Sequence, residues 1–382
     1  MLSKNILFKN FKKAKVSKKI SLNLKKLLFK KNQILFSLSN KYKDKYNIKK
    51  IKKLKKNINT RVIGMGGSIL GSKAIYSFLR TLTSKNFSFF DNLDSNFKPD
   101  KKKYLNLVIS KSGNTLETIS NFNILFKKKD ENCFLTENKK NELFLLAEKL
   151  KSDVIHHNNF IGGRYSVLSE VGMLPAELMG FNPKKFRQLN NLIKNKKFIN
   201  SLVANVNSII SLSKNKSNSI ILNYDPKSED FLEWYKQLAA ESLGKKNKGF
   251  LPVISNMPKD NHSVMQFYLD GPKKNFFTFF SLKDNSSPKI KSDFLSTNNR
   301  FLKNKSINQI KMYQKIATEN VFKKRNIPFR SFEIKKRDEK TLGELFIFFI
   351  LETILLANAL GVNPYDQPSV ELIKKETKKQ LN

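Results

Sequence analysis

A chain of 382 residues with 40% hydrophobic content is long enough to bury two ordinary α/β cores. Its formal charge of +42, from 73 Lys and Arg against 31 Asp and Glu, is spread end to end without a basic patch; this sets nucleic-acid binding aside and leaves a field able to attract a small anion. One cysteine, Cys133, and three histidines, His156, His157 and His262, exclude an intrachain disulfide and a thiolate metal cluster, so metal-independent chemistry in a reducing cytoplasm is expected.

Residues 1–57 are predicted to form a helical N-terminal segment, because the apolar residues of "ILFKNFKKAKVSKKISLNLKKLLFKK" recur at helical spacing. The first 43 residues hold no acid, as in an organellar presequence, but they also lack arginine, the usual cation there.

From Arg61 onward, runs of strand length ("RVIGM", "FSFF", "YLNLVIS", "NCFLT", "DVIHH") are separated by segments of helical period ("SKAIYSFLRTL", "TLETISNFNILFKK", "NELFLLAEKL"). That alternation predicts parallel βαβ units and a doubly wound first domain over residues 58–185. Polar corners follow two of its strands. "GMGGSILGSK" has neither the residue order of a P-loop nor that of a dinucleotide fingerprint. Its glycines still let backbone approach an anion, and Gly67 and Ser68 stand where a helix opens, although a tight turn accounts for the glycines equally well. In "LVISKSGNTLETISNF", Ser110, Lys111, Ser112 and Thr115 surround Gly113 as a cradle for one phosphate monoester, with Asn114 and Glu117 spaced as a capping box. "FIGGRYSVLSEVGMLP" then presents Arg164 after two glycines, a fork of donors suited to an oxyanion or an ordinary surface arginine after a turn.

A helical connector at 186–214 leads to a second domain at 215–340, with strands "SIILNY", "FLPVIS", "NFFTFFSL" and "IPFRSFEI". On the helix "EDFLEWYKQLAAESLG", Gln237 and Glu241 share a face, and Ala239, Ala240 and Leu243 give Glu241 apolar neighbours that would suit a general base. "NMPKDNHSVMQFYLDGP" sets His262 in a polar turn, where a lone histidine is more often structural. In the C-terminal segment, 341–382, "GELFIFFILETILLANALGV" is long enough to cross a bilayer. Glu344, Glu352 and Asn358 make it a buried helix instead, with no membrane partner expected. The helix ends at Gly361, breaks at Pro364 and restarts, stacking Gln367, Glu371 and Lys374 on one face.

In order from Arg61 to Lys374 these motifs resemble the phosphoglucose isomerase family, built from two sugar-isomerase (SIS) domains; "GGRYSVLSEVG", "ESLGK", "HSVMQFYLDGP" and "NPYDQPSVELIK" carry the resemblance. It implies two doubly wound α-β-α domains with parallel sheets plus helical extensions. The activity implied is the cofactor-free interconversion of glucose 6-phosphate and fructose 6-phosphate through an enediolate. By the same resemblance Glu241 is the base, Arg164 steadies the enediolate, and His262 with Lys374 opens the ring. Gln237 and Gln367 line the sugar site, while Gly67, Ser68, Ser110, Lys111, Ser112 and Thr115 hold the phosphate. A cytoplasmic homodimer is implied, because the family's histidine enters from the neighbouring subunit. "SKSGNTLET" stands where the family's usual loop has Ser-Lys-Thr and a threonine pair, and Pro368 and Ser369 stand where it has Trp-Gly. Acceptance of mannose 6-phosphate and a non-catalytic sugar-phosphate sensor therefore stay open as alternatives.

Overall fold

Two parallel sheets organise the chain, and the computed structural model describes residues 2–95, 100–284, 286–291 and 294–381. The N-terminal segment supplies a short strand, β1 (Ile6–Lys9), and three helices, α1 (Lys18–Phe29), α2 (Gln33–Ser37) and α3 (Ile48–Leu54). The strand corrects the purely helical reading of this segment. Ile6 and Phe8 are buried while Leu7 and Lys9 are not, a period of two that four residues cannot distinguish from helical spacing. It lies antiparallel along the last strand of the second sheet, with Ile6 opposite Ile334.

The first sheet is built from β2 (Asn59–Gly64), α4 (Leu70–Leu79), β3 (Asn86–Phe90), β4 (Leu105–Ile109), α5 (Leu116–Leu125), β5 (Glu131–Thr136), α6 (Glu142–Lys149) and β6 (Asp153–His156). Its strands are all parallel, in the order β3-β2-β4-β5-β6. Every residue of β4 is buried, as a strand covered by helices on both faces requires. The capping box expected at Asn114 and Glu117 does not form. Thr115 is the N-cap of α5 without a side-chain bond, and the Asn114 amide oxygen instead accepts the backbone N–H of Glu142 at 3.0 Å, tying the loop after β4 to the start of α6.

Helices α7 (Glu170–Leu178), α8 (Pro183–Phe186), α9 (Leu189–Leu192) and α10 (Lys196–Ser213) bridge to the second sheet. That unit comprises β7 (Asn218–Asn223), α11 (Glu229–Leu243), β8 (Leu251–Asn256), α12 (Met265–Asp270), β9 (Asn275–Leu282), α13 (Ile307–Lys324) and β10 (Phe329–Ile334). Its order is β1-β10-β9-β7-β8, parallel except for β1, which covers one edge. The chain closes with α14 (Glu339–Leu360) and α15 (Pro368–Leu381).

Helix α14 is the core element. It is long and apolar enough to cross a membrane, but 89% of its most apolar stretch is buried inside the protein, and every residue from Thr341 to Ala357 is buried. Its Glu352 is fully buried and ion-paired with the equally buried Arg330 of β10. Tyr235 of α11 donates to Glu352 at 3.0 Å and Asn205 of α10 at 2.5 Å, while Arg330 also donates to Thr278 of β9 at 2.9 Å. A charge taken out of water needs this degree of pairing, and here the pairing fastens five elements together. Gly361, at φ +68, ends α14 in the left-handed conformation that glycine adopts freely. No residue of α15 is buried.

Candidate active site

The loops after β2 and β6 meet backbone to backbone, and glycine makes the meeting possible. A Cβ on Gly67 would stand 2.1 Å from the carbonyl carbon of Gly163 and 2.4 Å from the nitrogen of Arg164. One on Gly66, at φ +53, would stand 2.6 Å from the side-chain nitrogen of Gln237. The glycines of "GMGGS" and "GGR" therefore bring Ser68, Arg164 and α11 into one place, and the tight turn serves that convergence.

Arg164 is 4% exposed at its side chain, and all five of its N–H donors are spoken for. Nε donates to the Ser242 hydroxyl at 2.9 Å, and one terminal nitrogen donates to the carbonyls of Pro364 (2.6 Å) and Asp366 (3.0 Å). The other terminal nitrogen donates to Glu241 at 3.1 Å and to the amide oxygen of Gln367 at 2.8 Å. Glu241 receives a second bond from Gln237, at 2.8 Å from the side-chain nitrogen. Gln237, Glu241, Arg164 and Gln367, drawn from three distant stretches of sequence, thus form one hydrogen-bonded cluster. The expectation that Glu241 sits among apolar groups is corrected. Ala239 and Leu243 are buried on the core side of α11, and the Glu241 carboxylate, 28% exposed, faces a cation and an amide.

The polar corner formed by the loops after β2 and β4 closes at the neighbouring strand ends. Gly64 of β2 pairs with Ile109 of β4, and a Cβ at Gly64 would lie 2.8 Å from the Ile109 carbonyl oxygen and 3.3 Å from the Ser68 Cβ, so Ser68 adjoins the loop that starts at Ser110. The Ser110 and Thr115 hydroxyls are 2.8 Å apart, the Gly113 N–H donates to Ser110 at 3.2 Å, and the exposed Ser112 accepts the Asn114 N–H at 3.3 Å. Lys111 turns away from these hydroxyls. Its ammonium donates to the Asn159 carbonyl at 2.8 Å and lies 3.5 Å from Glu137. Behind it, His157 is fully buried with Nε2 unbonded among the described residues, and burial pulls its pKa down to about 4. The neutral ring therefore adds no charge beneath the corner.

Two expected site residues stand apart. His262 is exposed on the turn Lys259–His262 after β8, and Lys374 of α15 pairs with Glu371 at 2.7 Å in solvent. Among the described residues neither bonds to the Arg164 cluster. Sequence reasoning missed Ser242 and Tyr165, whose hydroxyls lie 2.9 Å apart while Tyr165 also donates to the Pro364 carbonyl at 3.1 Å. Burial pushes the Tyr165 pKa up to about 12, so it remains a donor. The signal available was adjacency alone: each directly follows a residue singled out for chemistry.

The family model for phosphoglucose isomerase matches residues 37–382. The glucose-6-phosphate isomerase of Methanocaldococcus jannaschii is 32% identical over 349 residues, covering 86% of each chain. A hypothetical protein from Thermus thermophilus superposes with a TM-score of 0.81 at 21% identity, over 95% of this chain and 94% of its own. A glucose-6-phosphate isomerase structure from Chlamydia trachomatis gives 0.66 at 18%, over 91% of this chain and 73% of its own.

Proposed function

The chain belongs to the phosphoglucose isomerase family, an aldose-ketose isomerase of glucose 6-phosphate, and on that premise we propose that Glu241 carries the proton between C2 and C1 of the open-chain sugar. The observation that carries this reading is the single nitrogen of Arg164 that serves both Glu241 and Gln367, beside the loop bearing Ser68.

The ketose related to glucose 6-phosphate by a C1–C2 exchange is fructose 6-phosphate. Glu241, as carboxylate, takes the C2 proton of the aldose. The electron pair moves into a C1–C2 double bond, leaving negative charge on O1. The same carboxyl then returns the proton to C1, while a proton passes from O2 to O1. Each oxygen of Glu241 already accepts one hydrogen bond and keeps a second lone pair for the C–H proton. Three donors of Arg164 hold the guanidinium to Ser242 and two carbonyls, and the remaining nitrogen faces the reacting groups. An enediolate oxygen there would exchange for Gln367 or Glu241 as acceptor, against a cation that need not move. Ser68, Ser110, Ser112 and Thr115 supply hydroxyls to the phosphate, and the phosphate draws Lys111 from Glu137 and Asn159. No cofactor enters this scheme.

We assign the ring-opening acid to the partner subunit's His262 in a homodimer, with Lys374 beside it. The exposure of His262, the absence of buried residues from α12, and the uncovered Leu372, Ile373 and Leu381 of α15 support that arrangement. The units 58–185 and 215–340 are proposed as the two sugar-isomerase domains. The buried thiol of Cys133 fits a cytoplasmic location. A coupled assay with fructose 6-phosphate, and separately with mannose 6-phosphate, tests the reading. Turnover of the fructose compound with little or none of the mannose compound is expected, and turnover of neither would overturn it.

A further inference from the structure

The strand order reverses at the same place in both sheets. In the first sheet the chain passes from β2 to β3 on one side and then to β4 on the other, and the proposed sugar-phosphate corner lies at the carboxyl ends of β2 and β4. In the second it passes from β7 to β8 and then to β9 on the opposite side. Ligands of open α/β sheets bind in the crevice outside such a reversal. A cavity of about 280 Å³ occupies that crevice, lined by the residues that follow β7 and those that end and follow β9, and floored by one face of α13.

Its charged lining is Lys227, Lys311, Lys315 and Arg337 against Asp225 and Asp284. Arg337 is ion-paired with Asp225, and Lys315 is neutralised from behind by Glu319 at 3.1 Å and Glu333 at 3.9 Å. Among the described residues Lys227 and Lys311 form no ion pair or hydrogen bond, and the lining acid left facing them is Asp284, one oxygen of which accepts both the hydroxyl and the N–H of Ser286 at 2.6 and 2.8 Å. Its single charge, felt by Lys227 and Arg337, leaves the two lysines with a net positive charge between them. The Ser287 hydroxyl accepts the Asn308 N–H at 3.0 Å, which leaves its own proton free to donate. The lining residues Pro226 and Lys227 lead into the 15-residue α11, whose first-turn carboxylates are bonded elsewhere, Glu229 to Asn256 and Asp230 to Ser77.

We propose that this cavity is a second ligand site, taking the phosphoryl group of a small phosphorylated metabolite between Lys227 and Lys311, separate from the isomerase site. Glu241 lies on the same helix, 13 residues beyond Ser228, or about 20 Å at the helical rise. Arg337, on the cavity wall, also donates to the Phe78 carbonyl near the end of α4, the helix that opens beside Ser68. The site thus sits at the far ends of the two helices that lead to the proposed catalytic cluster.

Equilibrium dialysis of full-length protein with radiolabelled inorganic phosphate tests the assignment. Two phosphates per chain are expected in the wild type. Ser110→Ala/Ser112→Ala should weaken one of them. Lys227→Ala/Lys311→Ala should weaken the other about tenfold or more, the loss of a charge-assisted contact, with isomerase kcat and KM unchanged. Lys227→Gln is a milder second variant should the double one melt early. Lys25→Ala/Lys26→Ala, an exposed pair on α1, controls for adventitious anion binding and should alter neither site. Phosphate binding in the wild type that survives Lys227→Ala/Lys311→Ala undiminished would overturn the assignment whatever the isomerase assay shows.

Discussion

The guanidinium of Arg164, at the end of the first sheet's unit, lies 3.1 Å from the carboxylate of Glu241 on a helix of the second. It is fixed by Ser242 and the carbonyls of Pro364 and Asp366, so in the proposed mechanism the charge that develops must come to it. Lysine keeps the charge but not the fork of five donors. Arg164→Lys is expected to lower kcat by about 10²- to 10³-fold with little change in KM, the pattern of a contact made in the transition state. Steady-state kinetics would check it.

Gly67 touches the backbone of Gly163 and Arg164 so closely that no side chain fits. Gly67→Ala must separate the two loops and shift Arg164 from Glu241. The expected result is a large loss of kcat with a stability cost of about 1–3 kcal/mol, read from activity and a denaturant melt of the same preparation.

Glu352 and Arg330 hold α14 to β10, far from Glu241 in the chain. Arg330→Met leaves a buried carboxylate unpaired, and a loss of about 3–5 kcal/mol in unfolding free energy is expected, with KM of the folded fraction unchanged. Urea unfolding monitored by circular dichroism measures the first, and kinetics well below the melting temperature measure the second.

His157 gives the protein a pH-dependent stability. Its pKa falls from 6.5 in the unfolded chain to about 4 in the native state because the ring is buried. Between those values the unfolded state binds the extra proton, so stability rises with pH across that window and is lost as pH falls through it, by up to roughly 3 kcal/mol. In His157→Gln the stability difference between pH 4 and pH 6.5 should shrink by that amount. An unchanged slope would remove His157 from the account.

The parallel strands were legible because strands buried on both faces read as unbroken apolar runs, as in "YLNLVIS". β1 was not, since its partner is more than 300 residues away and nothing local distinguishes four apolar-alternating residues from a helix turn. Gln237 and Glu241 were legible from spacing on one helix, whereas the acceptors that hold Arg164 are the carbonyls of Pro364 and Asp366, and backbone atoms leave no mark in a sequence. Asn114 shows a local rule losing to a tertiary contact: its spacing suits a cap, but the N–H of Glu142 takes its oxygen. Lys111 likewise belongs to a polar cluster by sequence, while Glu137, beyond the next strand, holds its ammonium.

The most direct measurement is turnover, together with exchange of the C2 hydrogen into deuterated water, in Glu241→Gln. The buried amide oxygen of Gln237 has no partner among the described residues, so that amide can rotate to accept from the new one and the fold should be kept. A fall in kcat of about 10²- to 10⁴-fold, loss of C2 exchange and retained affinity for the phosphosugar are predicted. A variant that still isomerises at near wild-type rate and still washes out the C2 hydrogen would show that the proton travels by another group.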